Sequence, residues 1–271
     1  MSNPNGIGRT VYNVAINMLL EAKNQHPRDA RIRFQEEGHL YFLDGDSTDI
    51  ISVTTMIKSF SQPFDADAII TKMQTSKSWG PKHKYYGKSR QEIKQEWETN
   101  RDDSSTRGTE LHRSIELHYN GVPDPLESPE YQYFVKFTED HPDLVPYRTE
   151  WVVYSEEHRV CGSIDMVLEN PDGTLSIRDW KRSKEIKKSN PFARMKFPMD
   201  HLPDCNYYHY CLQLNLYKWI LETYYDKTVK DMALVVFHPN HESYQIYRVP
   251  DMREEIESIM NLRKQLLEPM D

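Results

Sequence analysis

The stretch VCGSIDMVLENPDGTLSIRDWK, residues 160–181, predicts a β-hairpin. Two β-prone segments flank Pro171-Asp172-Gly173, a turn-forming triplet whose glycine is available for a left-handed conformation. This pattern is typical of a hairpin with a three-residue loop. If Asn170 faces Thr174, the pairing places Asp165 directly opposite Asp179. The register matters, because a slip of one residue would turn one strand over and separate the two acids.

The predicted hairpin places opposed charges on one face, because side chains alternate along a strand. That face carries Ser163, Asp165 and Val167 on one strand, and Leu175, Ile177, Asp179 and Lys181 on the other. Opposed carboxylates about 5 Å apart are destabilising unless a proton or a cation lies between them. A hard divalent cation suits the pair, and Lys181 can hold or polarise a water beside it. The alternative is an exposed hairpin with ordinary surface charges.

Composition indicates a water-soluble, globular chain of 271 residues, with 38% hydrophobic and 28% charged residues. No apolar run approaches the roughly 20 residues of a membrane span, so we expect no membrane association. The N-terminal residues have the features of neither a signal peptide nor a transit peptide. Three cysteines without a C-x-x-C spacing predict neither a disulfide framework nor an iron–sulfur cluster. We therefore expect a reducing intracellular compartment, whose identity stays open.

Two basic stretches stand out in a chain whose net charge is −8. Residues 72–94 contain seven lysines and arginines and one acid, Glu92, and residues 181–196 contain seven and Glu185. Each stretch alone is compatible with a solvated surface. Together they favour a localised phosphate track, which would include Arg182 and Lys184. In the first stretch, we predict a strand-binding element or a small aromatic-packed lobe formed by Trp79, Lys82, Lys84, Tyr85 and Tyr86.

Helices and strands are predicted along the rest of the chain. Helices are expected over Val11–Lys23, from Ser89 to about Thr99, and over Ser104–Asn120, Ser128–Glu139 and Tyr207–Tyr225. His112 and Glu116 lie four residues apart on the third of these helices, and Gln213 and Tyr217 on the last, so each pair shares a helix face. Val145–Tyr154 is predicted as a strand that leads into the hairpin. Glu150 lies in that strand, either at the site or facing solvent.

Four short motifs occur in a fixed order between residues 108 and 217: GTELH, GSID, DWK and QLNLY. In this order they resemble the RecB-like branch of the PD-(D/E)xK nuclease superfamily. Upstream, ISVTTMI is similar to the mitochondrial genome maintenance exonucleases. Asp179 stands where the superfamily more often has Glu, and the C-terminal cysteines of its iron–sulfur members are absent.

The resemblance implies an α/β fold with a central mixed β-sheet flanked by helices. A helical, partly basic N-terminal lobe (residues 1–103) would precede the nuclease core (residues 104–271). The resemblance also implies metal-assisted hydrolysis of phosphodiester bonds with one or two Mg²⁺ or Mn²⁺ ions. The metal ligands carried over are His112, Asp165, Asp179 and the Trp180 carbonyl, and a nitrogen ligand favours Mn²⁺. In such relatives Glu150 corresponds to a further acid, Lys181 orients the water, and Gln213 and Tyr217 hold the nucleic-acid backbone.

Three functions remain open on the sequence. The first is a DNA exonuclease that works from ends on single-stranded stretches. The second is a structure-specific or RNA-directed endonuclease of the same superfamily, and the third is a catalytically silent nucleic-acid-binding module. The complete set of acids disfavours the third, because opposed carboxylates are costly without a cation. DNA or RNA substrate, polarity and protein partners stay open.

Overall fold

The computed structural model describes residues 19–123 and 127–268. Its elements, in chain order, are a 3₁₀ helix (Pro27–Arg31), β1 (Ile32–Gln35), β2 (Leu40–Leu43), β3 (Ile51–Ser52), α1 (Val53–Ser59), α2 (Ala66–Gln74), α3 (Arg90–Tyr119), α4 (Pro129–Asp140), β4 (Val145–Ser155), β5 (Val160–Glu169), β6 (Leu175–Arg182), α5 (Asn206–Tyr224), β7 (Val229–Phe237), β8 (Gln245–Arg248) and α6 (Arg253–Leu267). Residues 19–23 are helical, and the earlier part of the helix predicted over Val11–Lys23 lies outside the described residues.

A six-stranded mixed sheet forms the centre, and this confirms the predicted fold class. Strand β5 pairs along one edge with β4, in antiparallel orientation. Its other edge pairs first with the short parallel β3, at Val160 and Cys161, and then with antiparallel β6, from Met166 onward. β7 runs parallel to β6, and β8 closes the edge. The opening between β3 and β6 leaves residues 162–165 of β5 without a strand partner on that edge.

The register predicted for the hairpin is confirmed. Met166 pairs with Arg178 and Glu169 with Leu175, and the Asn170 N–H donates to the Thr174 carbonyl at 2.8 Å. Gly173 adopts a φ of +78°, a left-handed conformation that glycine reaches without a steric penalty. The turn therefore fixes which residues of β5 and β6 face each other.

Helices cover both faces of the sheet. On one face, α1 packs on β5 and α5 packs on β6 through core residues such as Met56 and Leu212, and α6 packs on α5 with Ile256 in the same core. On the other, Leu111 of α3 and Phe134 of α4 pack with β-sheet residues that include Met166, Trp180 and Phe237. Because these strands are covered on both sides, Asp179 is buried and Asp165 and Lys181 are half-buried.

Helix α3 differs from the prediction, because the two helices expected around Thr99 and Ser104 form one helix of 30 residues. Its start is as expected, with a capping box between Ser89 and Glu92. The polar residues 100–105 continue the helix as an exposed surface turn instead of ending it. Gly108 is also helical, a conformation that costs about 1 kcal/mol relative to alanine. The division of the chain after residue 103 stays a prediction, and this position lies inside α3.

No helix in the described part of the chain is long and apolar enough to cross a membrane. The three cysteines, Cys161, Cys205 and Cys211, are free and buried in the core.

Candidate functional site

Three acids form a row across three adjacent strands. In the β4–β5 ladder, Thr149 pairs with Met166 and Trp151 with Ile164, so Glu150 lies opposite Asp165. In the β5–β6 hairpin, the pairing of Met166 with Arg178 places Asp165 opposite Asp179. We call Glu150, Asp165 and Asp179 the carboxylate row. Asp165 is its central member.

The backbone departs from regular strand geometry at this row. Glu150 has a φ of +45°, a left-handed conformation inside a strand. For a residue with a side chain, such a conformation costs on the order of 1–3 kcal/mol and persists where the surroundings impose it. On the other side of Asp165, the Trp180 N–H donates to the Asp165 carboxylate (Oδ2) at 2.9 Å. The β5–β6 ladder thus ends beside Asp165, and the Trp180 N–H bonds to a side chain instead of a backbone carbonyl.

His112 joins the row from helix α3. Its Nε2 lies 2.7 Å from the Trp180 carbonyl oxygen. Because a carbonyl only accepts, Nε2 is the donor, and in a neutral His112 the lone pair is therefore on Nδ1. That Nδ1 lies 3.6 Å from Asp165 Oδ2. His112, Glu150 and Asp165 each offer a ligand atom within 4.8 Å of the others, so this group can hold a metal ion.

Asp179 is held by two neighbours on its other side. Lys181 Nζ lies 2.6 Å from Asp179 Oδ2, and the Gln213 amide donates to Oδ1 at 3.3 Å. Only 2% of Asp179 is exposed. The Lys181 ammonium also lies 4.8 Å from the centre of the Tyr210 ring, a favourable cation–π distance. Asp179 is therefore fixed by α5 as well as by its own strand.

Burial and repulsion between carboxylates raise the pKa of Glu150 and of Asp179. Burial is the main cause for Glu150, with further contributions from Asp165 and Glu116. Burial and Asp165 raise the pKa of Asp179, although Lys181 opposes this shift. Burial raises the pKa of Glu116, one turn after His112 on α3, to about 7. When ionised, these acids carry more negative charge than the ammonium of Lys181 can offset, so the donor set fits a divalent cation.

Lys181 stays a cation in this surrounding. Burial disfavours its ammonium, but the nearby carboxylates of Asp179 and Asp165 outweigh that effect and raise its pKa. At neutral pH, Lys181 is consequently a donor of hydrogen bonds and positive charge.

The absence of a side chain at Gly162 leaves room for Tyr217 beside the site. A Cβ at position 162 would lie 3.0 Å from both Cε1 and the hydroxyl of Tyr217, and 3.3 Å from Cβ of Val53. Those contacts are closer than a methyl group tolerates without displacement of its neighbours. The glycine of GSID and the tyrosine of QLNLY are thus two sides of one contact, in the opening between β3 and β6.

Three residues predicted to bind nucleic acid are buried or paired. Tyr217 is 3% exposed and Gln213 is 8% exposed, so both lie beneath the acids instead of on an open surface. Arg182 forms a buried ion pair with Glu130 at 2.6 Å. Lys184, by contrast, is exposed. The Trp180 carbonyl accepts the His112 hydrogen bond, and its role as a metal ligand stays a prediction.

The lobe formed by residues 72–94 satisfies its own polar groups. The Trp97 indole N–H donates to the Tyr85 hydroxyl at 3.0 Å, and the Trp79 ring packs against His83 at 4.6 Å between centroids. Lys84 Nζ lies 2.8 Å from a Glu96 carboxylate oxygen. Tyr86 is half exposed and Lys82 is exposed. Much of this lobe is aromatic packing, the second of the two arrangements that the sequence allowed.

Sequence reasoning missed two contacts at the site. Tyr210 was not singled out, although its place one turn before Gln213 puts it on the same side of α5. The contact of Gly162 with Tyr217 joins residues far apart in the chain, and a single sequence carries no signal for it.

Comparisons with known proteins give limited likenesses. No family model matches the chain. The light-mediated development protein DET1 of Solanum lycopersicum is 32% identical over 75 residues, which cover 23% of this chain and 14% of that protein. The solved structure of SSO0001 has a TM-score of 0.36 at 12% identity and covers 95% of this chain and 86% of that one. A proposed exonuclease from Eubacterium rectale has a TM-score of 0.37 at 11% identity, with coverage of 80% and 78%. These likenesses are too weak to carry a functional argument.

Proposed function

We propose that the protein is a metal-dependent nuclease that hydrolyses DNA phosphodiester bonds, and that it acts as an exonuclease from free ends. The observation that carries this proposal is the carboxylate row, with His112 and Lys181 beside it. The order of GTELH, GSID, DWK and QLNLY, which resembles RecB-like nucleases, supports it.

In this proposal, Asp165, Glu150 and His112 hold a Mg²⁺ or Mn²⁺ ion, with Asp179 as a further ligand, while the Trp180 carbonyl orients the His112 ring instead of binding the same ion. The Nδ1 lone pair of His112 faces Asp165, and its other nitrogen is anchored on the Trp180 carbonyl. Such an anchored imidazole is the usual arrangement of a metal-binding histidine. When bound, the ion supplies an acidified water and positive charge for the phosphate.

Other residues of the site have separate roles in the proposed reaction. Lys181 is protonated, so it orients the attacking water and contacts the phosphate but does not take a proton. Gln213 holds Asp179 in place, and Tyr217 fills the opening beside Gly162. We propose that these two residues of α5 position the acids, in place of the backbone contact expected from the resemblance.

The test is digestion of end-labelled linear DNA and covalently closed circular DNA with Mg²⁺ or Mn²⁺. We expect shortening of the linear substrate from its ends and an intact circle. Asp179→Asn serves as the inactive control. A wild-type protein that leaves both substrates intact would sink the nuclease assignment, and nicking of the circle would replace the exonuclease with an endonuclease.

A further inference from the structure

Two phenyl rings are almost fully exposed in the segment that follows the site strand. Phe192 is 81% exposed and Phe197 is 74% exposed. Both belong to residues 183–205, between β6 and α5, which we call the Phe192 loop. Leaving a large apolar side chain in water forgoes about 1.5–3 kcal/mol of burial energy for each residue.

The exposure does not result from a loosely attached loop. Met195, Met199 and Leu202 of the same loop are buried in the main core. The Met195 N–H donates to the Leu202 carbonyl at 3.1 Å, and the side chain of Gln62 donates to the Arg194 carbonyl at 2.9 Å. The loop thus buries its methionines and leucine while it holds both phenylalanines outward.

Basic residues are close to the two rings in the sequence, and one from a neighbouring helix contacts a ring. The loop carries Lys184, Lys187, Lys188, Arg194 and Lys196, with Glu185 as the one acid between residues 184 and 197. From helix α2, Lys72 Nζ lies 4.3 Å from the centre of the Phe192 ring. The protein as a whole is acidic, so this local charge is complementary to a polyanion.

The loop is also next to the candidate site. It begins directly after β6, the strand of Asp179 and Lys181. Its Lys196 N–H donates to the Phe60 carbonyl, at the end of α1, and the first residue of α1, Val53, packs beside Gly162. The loop therefore contacts the C-terminal end of the helix whose first residue packs beside the site.

We infer that the Phe192 loop binds a single strand of nucleic acid, with bases stacked on Phe192 and Phe197 and phosphates near the lysines. Unpaired bases present flat apolar faces and regularly spaced negative charges, which match exposed rings amid lysines. A duplex hides those faces, so it fits the surface poorly. This inference rests on the proposed nuclease function, since it assigns the path of the substrate toward that site.

The test is the fluorescence anisotropy of a labelled single-stranded oligonucleotide with Ca²⁺, which prevents cleavage. Phe192→Ala and Phe197→Ala should each weaken binding by about 5- to 150-fold. Replacement of both rings by tyrosine should retain the affinity, because a ring remains for stacking. Leu266→Ala is the matched control, since Leu266 is 69% exposed on α6, beside Lys264, which pairs with Glu157 at the turn between β4 and β5.

Further measurements distinguish the possible binding partners of the Phe192 loop. DNA and RNA strands of equal length should both lose affinity in the alanine variants, whereas blunt duplex DNA should lose much less. Unchanged single-strand affinity in the double alanine variant would overturn the inference, and so would an equal loss in Leu266→Ala. If the double variant changed only from dimer to monomer in sedimentation, the rings would contact a second copy and the inference would also fail.

A separate measurement keeps this inference distinct from the proposed function. Wild-type hydrolysis of bis(4-nitrophenyl) phosphate with Mn²⁺ needs the acids but no bound strand. Absence of that hydrolysis contradicts the nuclease function, whereas unaltered oligonucleotide binding by the alanine variants contradicts the role of the loop.

Discussion

The carboxylate row and the basic lobe of residues 72–94 are both rich in charged residues, but the charges of the lobe are exposed and those of the row are largely buried. In the lobe, charges are exposed and balanced, because Lys84 pairs with Glu96, and Lys94 pairs with Asp67 at 2.8 Å. In the row, Asp179 is almost wholly buried and Lys181 is the nearby cation. Sequence alone marks both regions as functional candidates.

This difference in burial separates charges that are common on protein surfaces from charges that indicate a functional site. An exposed ion pair contributes about 0–1 kcal/mol, so a protein can carry many such pairs on its surface. Burying ionised acids without enough opposite charge destabilises a fold by several kcal/mol. A bound cation or substrate can offset that penalty. This contrast supports the proposal that the row, and not the lobe, binds a metal ion.

The largest effect is expected at the row. Asp179→Asn and Lys181→Ala should each lower the rate of DNA cleavage on the order of 10³-fold, because each removes charge that acts on the phosphate or its water. The measurement is release of label from linear DNA with saturating Mn²⁺. Asp172→Asn, in the hairpin turn, is the matched control, since Asp172 pairs with exposed Lys230 at 2.8 Å. Full activity in Asp179→Asn would remove the row from the chemistry.

A smaller, metal-selective effect is expected for His112. His112→Ala should weaken Mn²⁺ binding more than Mg²⁺ binding, since imidazole is the softer ligand. Activity measured against the concentration of each metal gives the two apparent affinities. Wild-type activity at limiting Mn²⁺ would assign His112 to packing with Trp180.

The hairpin could be predicted from sequence because its register is set locally. The turn at Pro171-Asp172-Gly173 determines that Asp165 faces Asp179, and the structure has this register. The position of Glu150 was harder to predict from the sequence, because the β4–β5 ladder contains a register shift between Pro146 and Arg148. A shift of this kind decides which acid faces Asp165, and the spacing of residues does not reveal it.

Helix α3 and residue Tyr217 show a second limit. Local polarity predicted a break near residue 100, but packing of Ile93 at one end and Leu111 at the other keeps the helix continuous. For Tyr217, helical spacing placed it beside Gln213, yet burial under the sheet depends on the absence of a side chain at Gly162. Tertiary contacts decided both cases.

A modest effect on stability is expected from pH. The pKa of Glu116 rises from 4.5 to about 7 on burial, so the folded protein binds more protons than the unfolded chain between these values. The free energy of unfolding of the metal-free protein should therefore fall as the pH rises from about 5 to 8. Glu116→Gln should be more stable than wild type at pH 8 by about 1–2 kcal/mol, or roughly 2–8 °C in melting temperature.

The measurement is thermal unfolding of both proteins across this pH range with a chelator present. At pH 5, where the Glu116 carboxyl is protonated, the two melting temperatures should nearly coincide. A difference that does not depend on pH would contradict the assigned burial of charge.

The smallest effect is expected in the lobe. Loss of a phosphate contact lowers the salt dependence of single-strand binding by about 0.7 logarithmic units. Lys84 is paired with Glu96, so Lys84→Ala should leave the slope nearly unchanged, whereas Lys184→Ala in the Phe192 loop should flatten it. Anisotropy across a salt series measures both. A flatter slope for the lobe variant alone would reverse the comparison.

The most direct test of the metal site is calorimetric titration of the wild type and Asp165→Asn with Mn²⁺, with Asp172→Asn as the control. Asp165 is the central acid of the row and lies within the group that can hold a metal ion. We predict measurable binding to the wild type and to Asp172→Asn, and a loss of about 100-fold or more in affinity for Asp165→Asn. Equal Mn²⁺ binding by the wild type and Asp165→Asn would contradict the assignment of the row as a metal centre.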